Sequence, residues 1–297
     1  MNKMRWKLLA VSVSLVFYPL WIFSQDPVVY KVFNSAGKEI GWEKMLRQIS
    51  EADVVFFGEL HNDPIGHWLQ LRLIKDVYPE QGKYLILGAE MFEADNQLVL
   101  SEYLAGHFDE KKFSEDARLW KNYPTDYKPL LDFAVNNKIP FIATNIPRRY
   151  ATMVFRGGFE SLNALPDESK AYIAPLPVEF DPDLPGYKSM ISMAPGETAH
   201  GMNASLNLPK AQAIKDATMA WFIAQNLAEG SFFIHFNGAY HSKNHEGILW
   251  YLERYKPGLK RMTISVELQE NPDTLDDSNK ESADFIITVP SDMTRTY

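Results

Sequence analysis

The sequence predicts an α/β fold, a mostly parallel central sheet with helices on both faces and an inserted lid subdomain. Three observations carry this. Six short runs rich in β-branched and aromatic residues read as buried strands: Val54–Phe57, Tyr84–Ala89, Ile139–Ala143, Ser231–Phe236, Met262–Glu267 and Asp284–Val289. They are near-continuously apolar rather than alternating, as strands covered on both faces must be. Helical patterns alternate with them, which favours parallel pairing through crossovers.

Among the helices, Trp42–Ala52 comes first. In the second, Asp63 can cap, Pro64 takes the first position, and Ile65, Leu69, Leu73 and Val77 recur four apart on one face. Ala94–Ala105, Asp126–Asn136, Pro209–Leu227 and His245–Tyr255 follow. Residues 156–208 break the rhythm with many prolines and glycines and read as a lid insertion, since so long a loop in a compact domain is usually functional or disordered. The tail beyond Pro290 is expected to fray.

Residues 1–25 stand apart. Lys3, Arg5 and Lys7 precede an apolar run from Leu8 to Phe23, and Ser24-Gln25 ends it, the pattern of a secretory signal. A retained membrane anchor is the alternative, because the run is just short of a span. Residues 26–297 then form a single domain, exported to the periplasm or cell envelope. The 297-residue chain carries −8 formally, and residues 1–25 contribute three positive charges and no acid, so the remainder stands at −11. That acidity disfavours nucleic acid as a partner. The cysteine count is zero, which rules out thiolate metal sites, a cysteine nucleophile, a cysteine-attached prosthetic group and a cysteine-linked lipid anchor.

Four of the strands run directly into polar residues. "VVFF" leads to Gly58-Glu59-Leu60-His61, "YLILGA" to Glu90-Met91-Phe92-Glu93, "FIAT" to Asn145-Ile146-Pro147-Arg148-Arg149-Tyr150, and "FFIHF" to Asn237-Gly238-Ala239-Tyr240-His241. Parallel strands share a carboxyl edge, and ligands bind in the crevice there. Glu59, His61, Glu90, Arg148, Arg149 and His241 would converge on it. Each also has a plainer reading: the glutamates as capping or salt-bridge acids with the arginines as partners, the histidines as turn residues. Two of the seven histidines repeat a Gly-x-x-His position after separate strands, which favours a shared site.

These motifs, in this order, resemble the ChaN family of haem-binding, iron-regulated proteins, within a superfamily that includes Tiki proteases, TraB-like proteins and erythromycin esterases. "AQAIKDATMA" (Ala211–Ala220) and the preceding "HGMN" are similar to further ChaN-like segments, and the likeness spans roughly residues 35–270. It implies haem as cofactor, a homodimer with haem between subunits, a side chain such as tyrosine on the iron, and outer-membrane haem or iron transport machinery as a partner. The Tiki and esterase relatives imply instead a hydrolase built on the same Glu and His positions.

Two functions follow as expectations. As a haem-binding protein for iron uptake, the chain would use Tyr150, Tyr187, His200 and Met202 as cofactor-binding candidates, with Met190, Met193 and Tyr240 nearby and Arg148 and Arg149 on the propionates. As a metal-dependent esterase or peptidase, His61, Glu90 and His241 would hold a divalent ion, Glu59 would take the proton, and Arg148 would stabilise an oxyanion. Without a metal, His61 or Glu90 would be the general base. Asp216, which shares a helix face with Gln212 and Met219, would orient His241 or the arginines. His67 is expected at the rim, His245 at the start of the final helix, and His107 and His235 in structural roles.

Overall fold

A computed structural model describes residues 27–193 and 202–297. In chain order the elements are β1 (Lys31–Asn34), β2 (Glu39–Ile40), α1 (Trp42–Ile49), β3 (Val54–Glu59), α2 (Pro64–Gln81), β4 (Leu85–Glu93), α3 (Gln97–Leu104), α4 (Glu110–Asp116), α5 (Lys128–Asn137), β5 (Phe141–Asn145), α6 (Arg148–Gly157), α7 (Asp167–Lys170), α8 (Pro185–Met193), α9 (Met202–Asn226), β6 (Phe232–Gly238), α10 (Ile248–Tyr255), β7 (Arg261–Gln269) and β8 (Phe285–Pro290). The eight strands form one sheet in the order β2-β1-β8-β7-β3-β6-β4-β5. The six strands expected from sequence are its parallel part. The short hairpin β1–β2 adds an antiparallel edge that the sequence reading did not include.

The continuous hydrophobicity of the strands has a direct structural cause. Val55 and Phe57 pack with α1, α2 and α5 on one face, while Val54 and Phe56 pack with α6, α9 and α10 on the other. Every residue of β3 and of β6 is buried. A polar residue at any alternate position would have faced a helix layer rather than water. At the start of α2, Asp63 caps as expected, its carboxylate accepting from the Gly66 N–H at 2.7 Å.

The topology also fixes where a site can lie. From β3 the chain enters α2, which packs on one face, and from the neighbouring β6 it enters α10, which packs on the other. Adjacent parallel strands whose connections leave to opposite faces open a crevice at their carboxyl ends.

Two expectations change. The described part of 156–208 is less a lid than part of the second helix layer, with Leu162, Ile173, Ala174 and Tyr187 buried beside α9. The tail beyond Pro290 is docked rather than frayed. Arg295 reaches the fully buried Asp63 carboxylate at 2.6 Å, and the Thr296 N–H donates to the Asn62 carbonyl at 3.1 Å. Among the described residues no helix is long and apolar enough to cross a membrane.

Candidate functional site

The carboxyl ends of β3, β6, β4 and β5 stand side by side, so Glu59, Gly238, Glu90 and Asn145 lie along one edge. A register shift between Ala89 and Glu93 interrupts the β4–β5 ladder where Glu90 sits, the kind of irregularity that re-aims a side chain. A cleft of about 1000 Å³ opens above this edge and is lined by Glu59, His61, Glu90, Arg148 and His241. Five of the six convergent residues expected from sequence therefore meet.

The two histidines are held in the same way. His61 Nδ1 lies 2.9 Å from Glu59 Oε1, and His241 Nδ1 lies 2.6 Å from Asp216 Oδ1. A carboxylate on Nδ1 draws the proton there and turns Nε2 outward. Glu90 lies near both rings and its charge acts on each. The His241 Nε2 is 3.3 Å from Glu90 Oε1. Gly238 brings His61 and Glu90 together: its N–H donates to Glu90 Oε2 at 2.8 Å, and a Cβ built there would stand 3.0 Å from His61 Nε2 and 3.5 Å from Glu90 Oε2. Any side chain at 238 would fill the gap between the two groups, which is the physical reason for glycine at that position.

The charges follow from this packing. Burial alone would lower the His241 pKa, but Glu90 and Asp216 outweigh it and hold the ring in its charged form. Burial likewise opposes a charge on His61, and the bond to Glu59 together with the Glu90 charge turns the net shift upward. Burial would push Glu90 up, but the charge and hydrogen bond of His241 keep it well below the usual carboxylate range. Glu90 is thus a buried anion between two imidazoles. It accepts hydrogen bonds strongly and is a weak base.

A second tier that the sequence reading missed holds Glu59. Tyr127 donates to Oε1 at 2.7 Å and Gln70 to Oε2 at 2.5 Å. His67 is not a rim residue: it is 5% exposed, lies 3.1 Å from the His61 carbonyl and 3.3 Å from Asp126, and packs edge-on to Tyr127. The available signal was on α2, where His67 and Gln70 are polar residues one turn apart on a helix whose neighbouring positions are apolar. Asp216 does orient His241, as expected, and its other oxygen accepts from Tyr187 at 2.7 Å. His235 is structural, buried between Thr144 and Asn237. His245 precedes α10 and pairs with Asp284 at 3.1 Å.

Several expected residues fall elsewhere. Arg149 pairs with the mostly buried Asp95 at 2.6 Å and lies over the Tyr150 ring, and it does not line the cleft. Tyr150 and Tyr187 are buried in the second helix layer and do not line the cleft. His200 lies outside the described residues, Met202 opens α9, and Met193 closes α8. Besides His241 and the carboxylates Glu59, Glu90 and Glu93, the side chains that line the cleft as possible metal-ion donors are His61, Met190, Tyr240 and Tyr297. Its apolar wall is Trp120, Ile146, Ala151, Phe155, Leu208 and Ala211, with Trp120 edge-on to His61 at 4.9 Å between ring centroids. Two lining acceptors, Asn145 Oδ1 and Gln212 Oε1, have no hydrogen-bond donor among the described residues. Among those residues no three His, Asp or Glu side chains are already spaced to hold a metal ion.

Comparison with known proteins adds to this geometry. A search of curated proteins returned no match. Among solved structures, the ChaN protein of Campylobacter jejuni, described with cofacial haem binding, superposes with a TM-score of 0.66 over 89% of this chain and 98% of its own, at 16% identity. At that identity the likeness speaks for the fold. A Bacillus cereus protein superposes at 0.49 over 84% of this chain and 90% of its own with 11% identity, and the erythromycin esterase EreC, as a mutant in an open conformation, at 0.45 over 81% and 77% with 10% identity. The profile of the haem-binding uptake family of the Tiki superfamily, ChaN, matches residues 45–252, more than half of the sequence, and the chain belongs to that family.

Proposed function

We propose that this protein binds haem in the cleft at the carboxyl edge of the sheet and serves haem or iron uptake. The observation that carries the reading is the mixed apolar and ionisable lining of that cleft. Apolar Trp120, Ile146, Ala151, Phe155, Leu208 and Ala211 line it together with ionisable His61, Glu90, Tyr240 and His241 and the cations Arg148 and Lys215. A tetrapyrrole needs a broad apolar surface, a donor to its metal and cations for its carboxylates, and all three residue classes are present. When bound, haem supplies the iron chemistry. The chain's residues supply the surface, the donors His61, Met190, Tyr240 and Tyr297, and the charge. Burial, then Asp216 and Glu246, push the Tyr240 pKa upward, so its phenol is held neutral before any ligand arrives. Haemin titrated into the purified protein should give a saturable, shifted Soret band. An unchanged spectrum at micromolar haemin would reject the reading.

Export to the periplasm or cell envelope is part of the proposal and rests on the basic and apolar pattern of residues 3–23. A homodimer and an outer-membrane transport partner rest on family membership. Light scattering with and without haemin tests the dimer.

A second reading, a metal-dependent hydrolase, is favoured by one observation: both histidines carry a carboxylate on Nδ1 and line the cleft beside Glu90. Two imidazoles and a carboxylate are the residue types that hold a divalent ion, and closing on one would require these side chains to move together. Without a metal, the raised His241 and the depressed Glu90 are each poorly poised as a general base, which leaves His61 as the remaining candidate. Elemental analysis of the protein as isolated, repeated on His61→Ala and His241→Ala, tests this. Absence of stoichiometric metal, together with no ester or peptide cleavage under added divalent ions, would reject it.

A further inference from the structure

A second cleft of about 940 Å³ adjoins the first and has a different chemistry. Its lining includes Arg118, Lys121, Arg148, Arg149 and Arg156, gathered in a chain that is acidic overall. Two of the five are engaged. Asp95 joins Arg118 and Arg149, and Glu93 accepts from Arg118 at 3.1 Å. Among the described residues no acid pairs with Lys121, Arg148 or Arg156. Five cations set against two carboxylates leave a net excess of three positive charges. Its lining also includes the apolar side chains Leu119, Trp120 and Met153.

The two clefts share Glu93, Trp120, Arg148, Thr152 and Tyr297. Arg148 and Trp120 therefore stand on the boundary, the first as a cation open to both sides and the second as an aromatic surface common to both. Arg148, Thr152 and Arg156 recur four apart on α6, so they lie along one face of that helix, with the two guanidinium groups attached about 12 Å apart along its axis. A ligand whose apolar body occupies the first cleft and which carries anionic groups at one edge would place that edge among these charges.

We propose that the second cleft is an anion subsite in which Lys121, Arg148 and Arg156 bind the carboxylates of an apolar, dicarboxylate ligand held in the first cleft. The proposal rests on the tetrapyrrole reading above and adds to it a carboxylate-selective element and its residues. Arg149, named with Arg148 on sequence grounds, contributes background charge while Asp95 holds it.

The test uses the purified full chain, metal-free protoporphyrin IX and its dimethyl ester, so that coordination to iron plays no part. Binding is read by quenching of tryptophan fluorescence and by porphyrin emission. The free diacid should bind at least about tenfold more tightly than the diester. The double charge reversal Lys121→Glu with Arg156→Glu should weaken the diacid by about tenfold or more and leave the diester within about twofold. Raising the salt concentration should shrink the diacid preference, because exposed charges are screened. Equal binding of diacid and diester by the parent, or an equal loss of both in the double variant, would overturn the subsite while leaving haem binding intact. Failure of the parent to bind haemin as well as both porphyrins would overturn the subsite and the underlying reading together. Both substituted residues are exposed, and circular dichroism and thermal melting of the variant confirm that it folds.

Discussion

Asp216→Asn is the most informative substitution in the site. The Asp216 carboxylate is fully buried and accepts two hydrogen bonds, from His241 Nδ1 at 2.6 Å and from the Tyr187 hydroxyl at 2.7 Å. Asparagine keeps the shape but offers one acceptor oxygen and one NH₂ donor. The amide oxygen can serve His241 and the NH₂ can donate to the Tyr187 oxygen, but the Tyr187 hydroxyl proton then loses its acceptor and the buried His241 loses one of its two counter-charges. Hydrogen bonds to a charged group are each worth roughly 1.5–3 kcal/mol, and breaking a buried pair from one side costs about 3–5 kcal/mol. The expected loss of stability at pH 6 is therefore about 3 kcal/mol. The pH dependence has a definite sign. The raised His241 pKa contributes stability that is fully present below the unfolded value of about 6.5 and is lost as pH rises through the folded value, so the penalty should shrink in alkaline solution. Urea unfolding at pH 6 and at alkaline pH measures both quantities. Tyr187→Phe removes the other end of the same hydrogen bond, so the double variant should lose about 1–2 kcal/mol less than the sum of the two single variants. A loss below about 1 kcal/mol at pH 6, or a strictly additive double variant, would refute the reasoning.

Two further predictions concern parts of the fold that hold the site. Arg295→Ala leaves the fully buried Asp63 carboxylate without its cation and should cost about 3 kcal/mol in urea unfolding; a loss under about 1 kcal/mol would mean that the segment beyond Pro290 does not hold the α2 cap in solution. Burial lowers the His235 pKa to about 4, despite its bond to Asn237. The unfolded chain therefore takes up this proton first, and the stability contribution of the neutral ring is present above pH 6.5 and lost as pH falls toward 4, about 3 kcal/mol in all. His235→Gln should flatten the acid limb of the stability profile over that interval, and an unchanged limb would assign the slope to other groups.

Much of the architecture was legible because it rests on local pattern. The six parallel strands follow from runs such as Val54–Phe57, whose every residue must meet an apolar layer. The start of α2 follows from Asp63 and Pro64. The antiparallel β1–β2 edge was not legible, since two- and four-residue strands carry too little periodicity to stand out. Helix α6 was hidden for another reason: its basic first turn reads as a site motif rather than as a helix start.

The same division runs through the site. The sequence alone determined that Glu59, His61, Glu90, Arg148 and His241 leave parallel strands at one edge, because strand identity and direction place residues however far apart they are in the chain. Tertiary structure alone decided which polar groups face the cleft and which brace it. Arg148 and Arg149 are adjacent in sequence, yet Asp95 takes one of them. His67 and His61 lie six residues apart, yet one is sealed beneath the other. Tyr150 and Tyr187 are built into the helix layer, and Tyr240 and Tyr297 reach the cleft instead. These outcomes depend on partners brought from distant segments at distances of about 3 Å, where the competition between nearby charges and hydrogen bonds is settled by packing and leaves no trace in local sequence pattern.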